Sequence, residues 1–297
     1  MSFSKQKLVF EGKSVIIYEW LVGKIGQLPS RKSVKKALSS GAILVNGNPV
    51  SWNYLLETGD TIDYIENKTS PPKPYRLDVE IVFEDDHLIA INKPSGLLVS
   101  GNQFKTAFNV LAYVFTPSTA KDALPTPLPV HRLDQATSGI LLAAKTQSAR
   151  IKLGEMFEDR AIQKTYLAIV IGDISASGTI ELDIDGKPSF SQFKKIKSVR
   201  SLRSGHLSLI EVYPKTGRKH QIRKHLASTG HPILGDKLYC PQELLLKHKG
   251  LFLCAKELKL QHPEFQDEIC LSVDSPKKYE KRLESEEKRW NRQNKSL

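Results

Sequence analysis

The stretch Val130-His131-Arg132-Leu133-Asp134-Gln135-Ala136-Thr137-Ser138-Gly139 places a polar loop directly before an apolar segment. That segment, Ile140 to Ala144, is short, apolar throughout and preceded by a glycine, which is typical of a buried β-strand. Loops that are held by a rigid strand carry many of the binding and catalytic groups of proteins. The pattern therefore predicts a functional site at the beginning of this strand.

Asp134 is the residue of this loop that is best suited to chemistry. Arg132 precedes it and Thr137 and Ser138 follow it, so nearby donors would keep its carboxylate ionised. An ionised carboxylate can act as a nucleophile or as a base. The alternative is an Asx turn, in which Asp134 only accepts hydrogen bonds from N–H groups of its own loop. The residues alone leave both interpretations open.

A second basic segment runs from Pro214 to Asp236. Its centre, Lys215-Thr216-Gly217-Arg218-Lys219-His220-Gln221-Ile222-Arg223-Lys224-His225, joins a glycine turn to the start of a basic helix. Converging cations and backbone N–H groups suit a phosphate or a carboxylate partner. We expect this segment to bind an anion.

The net charge indicates the class of partner. The chain of 297 residues has 44 Lys and Arg against 32 Asp and Glu, a formal charge of +12. This excess favours a polyanion, and RNA, DNA and acidic membrane surfaces all fit the charge alone. The longest apolar runs, such as Leu88 to Ile91, are too short to cross a bilayer. Because Met1 to Lys5 do not begin a secretory signal, we expect a cytoplasmic protein.

The cysteines and histidines do not indicate a metal site or a disulfide framework. Cys240, Cys254 and Cys270 are odd in number and lack C-x-x-C spacing, so we expect three buried apolar residues. The histidines between 214 and 236 do not follow the H-E-x-x-H pattern, and only Asp236 lies near enough in the sequence to complete a ligand set. We expect no bound metal.

The first block, 14–66, has the pattern of helix, turn, helix and two short strands. Ser30 to Leu38 looks like a capped basic helix that ends at Gly41, and Ile43 to Val50 contains an Asn46-Gly47 hairpin turn. The basic side chains of this helix are candidates for RNA contact: Arg31, Lys32, Lys35 and Lys36. The alternative is that they form a solvated helix face.

The remaining chain divides into a linker, a large domain and a tail. Pro71-Pro72-Lys73-Pro74 predicts a stiff linker over 67–78, followed by a domain over 79–274 and a charged tail over 275–297 that is either a helix on RNA or a disordered arm. Pro117 to Pro129 is expected to be a loop.

Strands joined mostly by short turns indicate an α+β fold with a mixed, largely antiparallel sheet and flanking helices. The N-terminal domain would be a small α/β module.

Two resemblances follow from these motifs. The first block resembles the S-four-type RNA-binding domain through Ser30-Arg31, Ala37-Leu38, Gly41, Val45-Asn46-Gly47 and Gly59-Asp60. The large domain resembles the RluA-type pseudouridine synthases through four segments in the same order along the chain. These are Asn92-Lys93-Pro94-Ser95-Gly96, His131-Arg132-Leu133-Asp134 with Thr137-Ser138-Gly139, Lys164-Thr165-Tyr166, and Thr216-Gly217-Arg218 with His220-Gln221-Ile222-Arg223 and Gly230-His231-Pro232-Ile233.

The second resemblance implies an enzyme that isomerises uridine in structured RNA to pseudouridine, with no cofactor or metal. It implies that Asp134 is the catalytic aspartate, as nucleophile or base, and that Tyr166 stacks on the target base and helps to remove the proton from its carbon. Arg223 would pair with Asp134. Arg132 would fill the space that the flipped base leaves, and Ile222 would lie beneath the base. We also expect His131 and Arg218 to contact RNA.

Other functions remain open at this point. A non-catalytic RNA-binding protein would bind RNA without chemistry, and a hydrolase would leave an abasic site, which changes the mass of the RNA. We expect ribosomal RNA as the substrate, with transfer RNA as the alternative. We expect a monomer, because no long apolar stripe is left over.

Overall fold

The computed structural model describes residues 4–66, 72–246, 248–265 and 267–294. The chain divides into two compact units, an N-terminal unit, Met1–Ser70, and a C-terminal unit, Pro71–Leu297. Positions 67–71 of the predicted linker and 295–297 of the predicted tail lie outside the described residues. Tyr75 and Leu77, which we assigned to the linker, pack against the core of the C-terminal unit.

The N-terminal unit combines two helices with short antiparallel strands. Its elements are β1 (Ser4–Val9), β2 (Val15–Ile16), α1 (Ile17–Leu21), α2 (Arg31–Ser39), β3 (Ile43–Val45), β4 (Asn48–Pro49), β5 (Leu55–Leu56) and β6 (Thr61–Glu66). One sheet has the order β1-β6-β3-β4, and β2 pairs with β5. β1 lies before Ser14, where the sequence pattern begins, and pairs along its length with β6.

Local sequence explains the main features of this unit. Ser30 and Ser33 form a reciprocal capping box that starts α2. Val34 and Leu38 are buried on one face of this helix, whereas the basic side chains lie on the exposed face. Asn46 and Gly47 have φ values of 50° and 80°, the left-handed pair that a tight hairpin turn needs between β3 and β4. The predicted capped helix and hairpin are both present.

The C-terminal unit holds one large sheet with helices on both faces. Its elements are β7 (Ile81–Glu84), β8 (Leu88–Lys93), α3 (Ala107–Val114), β9 (Ala123–Pro129), β10 (Ser138–Thr146), α4 (Gln147–Glu158), β11 (Gln163–Ile171), β12 (Ser177–Glu181), β13 (Phe190–Ser201), β14 (Gly205–Pro214), α5 (Gln221–Ser228), the 3-10 turn Gln242–Leu244, β15 (Leu253–Gln261), β16 (Glu268–Ser272) and α6 (Lys277–Asn294).

The sheet has ten strands and is largely antiparallel. The main path is β12-β13-β14-β11-β15-β10-β8-β7, with β16 beside β15 and β9 beside β10. β10 runs parallel to β15, and the other pairs are antiparallel. The expected α+β fold with a mixed, largely antiparallel sheet is therefore confirmed.

β10 is buried on both faces, which explains its uninterrupted apolar sequence. Leu142 belongs to the core on the side of the sheet where Leu153 of α4 packs. Leu141 belongs to the core on the other side, together with Leu111 of α3. The strand that follows the polar loop is thus fixed between two layers of side chains, and its first residues have a defined position.

Two expectations about the C-terminal unit were wrong, and the tail follows the helical one of its two alternatives. Ala123–Pro129 was expected in a loop, but it forms β9, because proline is tolerated in a strand that pairs on one side only. Cys270 is exposed on β16, whereas Cys240 and Cys254 are buried. The tail is mostly α6, which packs on the unit through Tyr279 and Leu283, 1% and 3% exposed. No helix in the described residues has the length and apolarity to span a membrane.

Candidate active site

The loop that carries Asp134 lies where the parallel strands β10 and β15 meet. Gly139 has φ 107°, and a Cβ atom there would lie 2.2 Å from the carbonyl oxygen of Ala255. Only glycine allows this close approach of the two backbones. The preceding loop is fixed to the end of β8, because Ser95 donates to the carbonyl of Ala136 at 2.7 Å. The strands therefore set the position of Asp134.

The carboxylate of Asp134 is directed toward α5. Its Oδ2 accepts a hydrogen bond from Nη1 of Arg223 at 3.3 Å, and its Oδ1 lies 3.6 Å from Nε2 of His220. Within the loop it is the backbone carbonyl of Asp134 that accepts the N–H of Thr137, at 3.0 Å. The carboxylate therefore faces Arg223 of α5 and His220 at the start of that helix. It does not form the Asx turn that was the alternative.

Arg223 is held from its other side by Asp236. Nε and Nη2 donate to the two carboxylate oxygens of Asp236, each at 2.7 Å, and Asp236 is 1% exposed. Asp236 also accepts the backbone N–H groups of Leu238 and Tyr239. Burial alone would lower the pKa of Arg223, but the hydrogen bonds and charges of Asp236 and Asp134 raise it. Arg223 is thus a fixed cation beside Asp134.

His220 stands immediately before α5 in a left-handed conformation, with φ 55°. Its Nδ1 lies 2.9 Å from the hydroxyl oxygen of Tyr239, while its Nε2 faces Asp134. Burial lowers the pKa of His220, although the charge of Asp134 opposes this shift. A neutral ring can accept from Tyr239 at Nδ1 and turn its Nε2–H toward Oδ1 of Asp134, at a distance of 3.6 Å that is longer than a hydrogen bond.

A cavity of about 620 Å³ opens beside this carboxylate. This volume lies within the range of small-molecule and nucleotide sites. All site residues that the sequence predicted in this unit line it: His131, Arg132, Asp134, Tyr166, Arg218, Ile222 and Arg223. Three of the four motif segments, which are distant in the sequence, are therefore brought to one cavity, and the segment Asn92 to Gly96 does not line it.

Tyr166 and His131 are both uncharged in this cavity at neutral pH. Burial, with the charge of Asp134, raises the pKa of the Tyr166 phenol, so it keeps its proton. Burial, assisted by Lys164, lowers the pKa of His131 to about 3. The Nε2 atom of His131 accepts the backbone N–H of Leu142 at 2.9 Å, and its ring stacks on Phe157 at 4.9 Å. His131 thus fixes the loop to β10 as well as lining the cavity.

The remaining predicted residues take different positions. Arg132 is exposed at the cavity, and Ile222 is 7% exposed in its wall. The Nε atom of Arg218 lies 3.5 Å from the carbonyl oxygen of Pro188. The basic residues of the first block belong to the N-terminal unit and are exposed on α2: Arg31, Lys32, Lys35 and Lys36.

Sequence reasoning missed four residues of this site: Lys93, His220, Asp236 and Tyr239. Lys93 is fully buried, and its Nζ donates to the carbonyls of Pro94 and Leu97 at 3.0 and 2.9 Å. Burial lowers the pKa of Lys93 to about 8, against the opposing charge of Asp134. One signal was present in the sequence. Lys93 closely follows the apolar run Leu88 to Ile91, so it lies at the end of a buried strand. Among the described residues, no group of three potential ligands is arranged for a metal ion.

Comparison with known proteins identifies the class of protein that has this fold and cavity. A family model described as RNA pseudouridylate synthase matches residues 87–228, which include the Asp134 loop, Tyr166 and all of α5. The human protein RNA pseudouridylate synthase domain containing 4 has a similar structure, with a TM-score of 0.54 and 25% identity. The match covers 67% of this chain and 89% of that chain.

Two bacterial relatives match most of the chain. The RNA pseudouridine synthase YhcT of Bacillus subtilis (strain 168) is 34% identical over 278 residues, which are 86% of this chain and 88% of that protein. Ribosomal large subunit pseudouridine synthase C of Rickettsia bellii (strain RML369-C) is 32% identical over 276 residues, 82% of this chain and 89% of that protein. The chain belongs to the RNA pseudouridine synthase family, a family of isomerases, and the resemblance of the large domain to the RluA-type pseudouridine synthases is confirmed.

Proposed function

We propose that this protein isomerises specific uridines in structured RNA, with ribosomal RNA as its substrate, and that Asp134 is the catalytic residue. One observation carries the assignment of the site. Asp134 lines a nucleotide-sized cavity together with Tyr166, and its carboxylate is held there by the hydrogen bond from Arg223.

The target uridine must first leave its helix, because the reacting atoms are covered by neighbouring bases in the stack. Unstacking and unpairing cost a few kcal/mol, and the enzyme has to supply this from its own contacts. Arg132 is exposed beside the cavity, on the same loop as Asp134. We assign it to the space that the flipped base vacates, with Arg218 on the phosphates and Ile222 beneath the base.

The bond from ribose to the base nitrogen then breaks, and the base rejoins the ribose through carbon. Asp134 serves this step as a nucleophile or as a base toward the ribose, and both routes need an ionised, aimed carboxylate. Arg223 aims this carboxylate, since its Nη1 donates a hydrogen bond to Oδ2 of Asp134 at 3.3 Å.

Tyr166 contributes its ring to stacking and its hydroxyl to proton removal. Because burial and Asp134 hold the phenol in its protonated form, Tyr166 is not a free base. It can receive the proton from the base carbon only as its own hydroxyl proton passes to water in the open cavity. We therefore assign it the role of a relay, and its loss should affect chemistry more than binding.

The choice of ribosomal RNA rests on two observations. A relative that matches most of the chain is named for the ribosomal large subunit. The chain also has a net charge of +12 and exposes the α2 cations on its N-terminal unit. We propose that residues 14–66 are an S-four-type RNA-binding domain, and that the C-terminal unit, to which Tyr75, Leu77 and α6 contribute, is the catalytic domain. We further propose a cytoplasmic monomer that needs no metal or cofactor.

Mapping of pseudouridine in cells tests this proposal. Ribosomal and transfer RNA are labelled with carbodiimide from cells with the gene intact, deleted, or encoding Asp134→Asn. We expect one or more ribosomal uridines to lose their signal in both the deletion and the variant. If a signal is lost only from transfer RNA, transfer RNA and not ribosomal RNA is the substrate. Identical maps in all three strains would favour a non-catalytic RNA-binding role.

A further inference from the structure

The N-terminal unit carries an aromatic and cationic surface that we call the Trp52 surface, made of Tyr18, Trp52, Arg31 and Lys35. The rings of Tyr18 and Trp52 are 5.5 Å apart at an angle of 45°. The Nζ atom of Lys35 lies 3.9 Å from the centre of the Trp52 ring and 5.3 Å from that of Tyr18. The guanidinium carbon of Arg31 lies 5.6 Å from the Tyr18 ring.

The fold holds this surface in place. Tyr54, two residues after Trp52, accepts the N–H of Ile17 at 2.9 Å, so the turn that presents Trp52 is attached to the start of α1. The hydroxyl of Tyr18 donates to Glu19 at 3.1 Å. Arg31 and Lys35 are one helical turn apart on the exposed face of α2. Rigid aromatic groups lose little entropy on binding, which favours a recognition role.

Trp52 remains open to a ligand although Lys35 covers part of it. The side chain is 46% exposed. Trp52 is not an isolated exposed side chain, because a second aromatic ring and two cations lie beside it. Because the Nζ atom of Lys35 lies over the indole at 3.9 Å, a ligand would contact the part of the ring that Lys35 leaves exposed, with positive charge beside it.

We propose that the Trp52 surface binds an unpaired nucleobase of the RNA, with the base stacked on Trp52 and its phosphate near Arg31 and Lys35. Every base has a π-face, and stacking platforms flanked by cations are how proteins hold single-stranded nucleic acid. An acidic protein segment would match the charge but has no need of two adjacent aromatic rings. This inference rests on the proposed function, since it supplies a second contact for the same RNA.

Fluorescence of Trp52 tests stacking directly. The chain has three tryptophans, so full-length protein with Trp20→Phe and Trp290→Phe retains only Trp52. A short oligouridylate is titrated in, and its own binding is followed by anisotropy of a label. We expect saturable quenching at the concentrations at which the oligonucleotide binds. Bound oligonucleotide without quenching would overturn the proposal.

Affinity provides the second test, with the same oligouridylate and full-length protein. Trp52→Ala should weaken binding by about fivefold to a hundredfold, the usual loss for one stacked base, and Trp52→Phe should restore most of it. Tyr113→Ala is the matched control, because Tyr113 is an exposed aromatic of similar exposure, 44%, on α3. Equal affinity of Trp52→Ala and the parent would overturn the proposal, and an acidic protein segment would then be the better candidate for this surface.

Catalysis and stacking can fail separately. Asp134→Asn in the single-tryptophan protein should quench as the parent does, because Asp134 belongs to the C-terminal unit. If that variant still isomerises uridine, the catalytic assignment is wrong while quenching stands. If quenching is absent while Asp134→Asn abolishes isomerisation, only the Trp52 inference is wrong.

Discussion

Nη1 of Arg223 lies 3.3 Å from Oδ2 of Asp134, and the rest of the guanidinium is bound by Asp236. The two carboxylates are not equivalent. Asp236 is buried and takes two hydrogen bonds of 2.7 Å, whereas the side chain of Asp134 is 19% exposed at the cavity. Asp236 thus fixes the arginine, and the arginine orients the residue that can meet a substrate.

Asp236→Asn should lower the rate of isomerisation by about a hundredfold while RNA affinity stays near that of the parent. The amide cannot hold Arg223 by two charge-assisted bonds, and a small misplacement of a catalytic group has a cost of this size. Single-turnover rates and filter binding measure the two effects. Asp185→Asn is the control, since Asp185 pairs with Lys224 in solvent, and it should react at the parent rate. Equal rates for both variants would show that Asp236 has no positioning role.

Tyr166→Phe should bind RNA like the parent and react far more slowly. The ring that stacks is retained, whereas the hydroxyl that passes on the proton is removed. Tyr166→Leu should lose affinity as well, because the stacking face is gone. Affinity and single-turnover rate are measured for both variants on one transcript. A Tyr166→Phe enzyme with the parent rate would restrict Tyr166 to stacking.

Stability should fall below pH 6.5 in part because of His131. The pKa of His131 is about 3 in the folded protein against 6.5 for an ordinary histidine, so between these values the unfolded chain binds a proton that the folded chain does not. The free energy of unfolding then decreases as pH falls, by about 1.4 kcal/mol per pH unit from this group. Urea unfolding of the parent and of His131→Gln between pH 7 and pH 5 measures the difference.

The variant retains an acceptor for the N–H of Leu142 but cannot titrate, so its stability should depend less on pH than that of the parent. His220 and His225, whose pKa values burial also lowers, are present in both proteins and cancel in the comparison. Parallel curves for the two proteins would contradict the assignment of a neutral His131.

Replacing Lys35 and Lys36 with Glu should weaken RNA binding and flatten its dependence on salt. Each cation that meets a phosphate releases counterions, so its removal lowers the slope of log affinity against log salt by about one unit or less. Affinity measured across a range of salt concentrations gives this slope. Lys288→Glu in α6, which also replaces an exposed lysine, is the comparison. A slope equal to that of the parent would mean that α2 does not touch the RNA.

The sequence was sufficient to predict the α+β sheet and the group of residues around Asp134. The apolar run of β10 is long enough to identify a buried strand, and the polar motifs that precede or follow strands mark the ends that meet at the cavity. Their order along the chain matched one family. These are local patterns, and local patterns are what a single sequence displays.

The missed residues depend on tertiary contacts. Lys93 ends an apolar strand, and nothing nearby in the sequence shows that carbonyls of the following turn enclose its amine. Asp236 was considered only as a metal ligand, because its pairing with Arg223 needs the loop after α5 to fold back. For α6 a signal was present: Tyr279, Leu283 and Glu286 have helical spacing and share a buried face, but the surrounding charges concealed it.

Conversion of uridine by purified protein is the most direct test of the catalytic role of Asp134. Parent and Asp134→Asn enzymes are compared on one transcript that contains a mapped target, with pseudouridine content, RNA mass and RNA affinity measured together. We expect the parent to form pseudouridine without a change of RNA mass, and Asp134→Asn to bind within a few-fold of the parent and form none. Full conversion by Asp134→Asn would contradict the assignment of Asp134. Loss of a base from the RNA would show that the reaction is hydrolysis and not isomerisation.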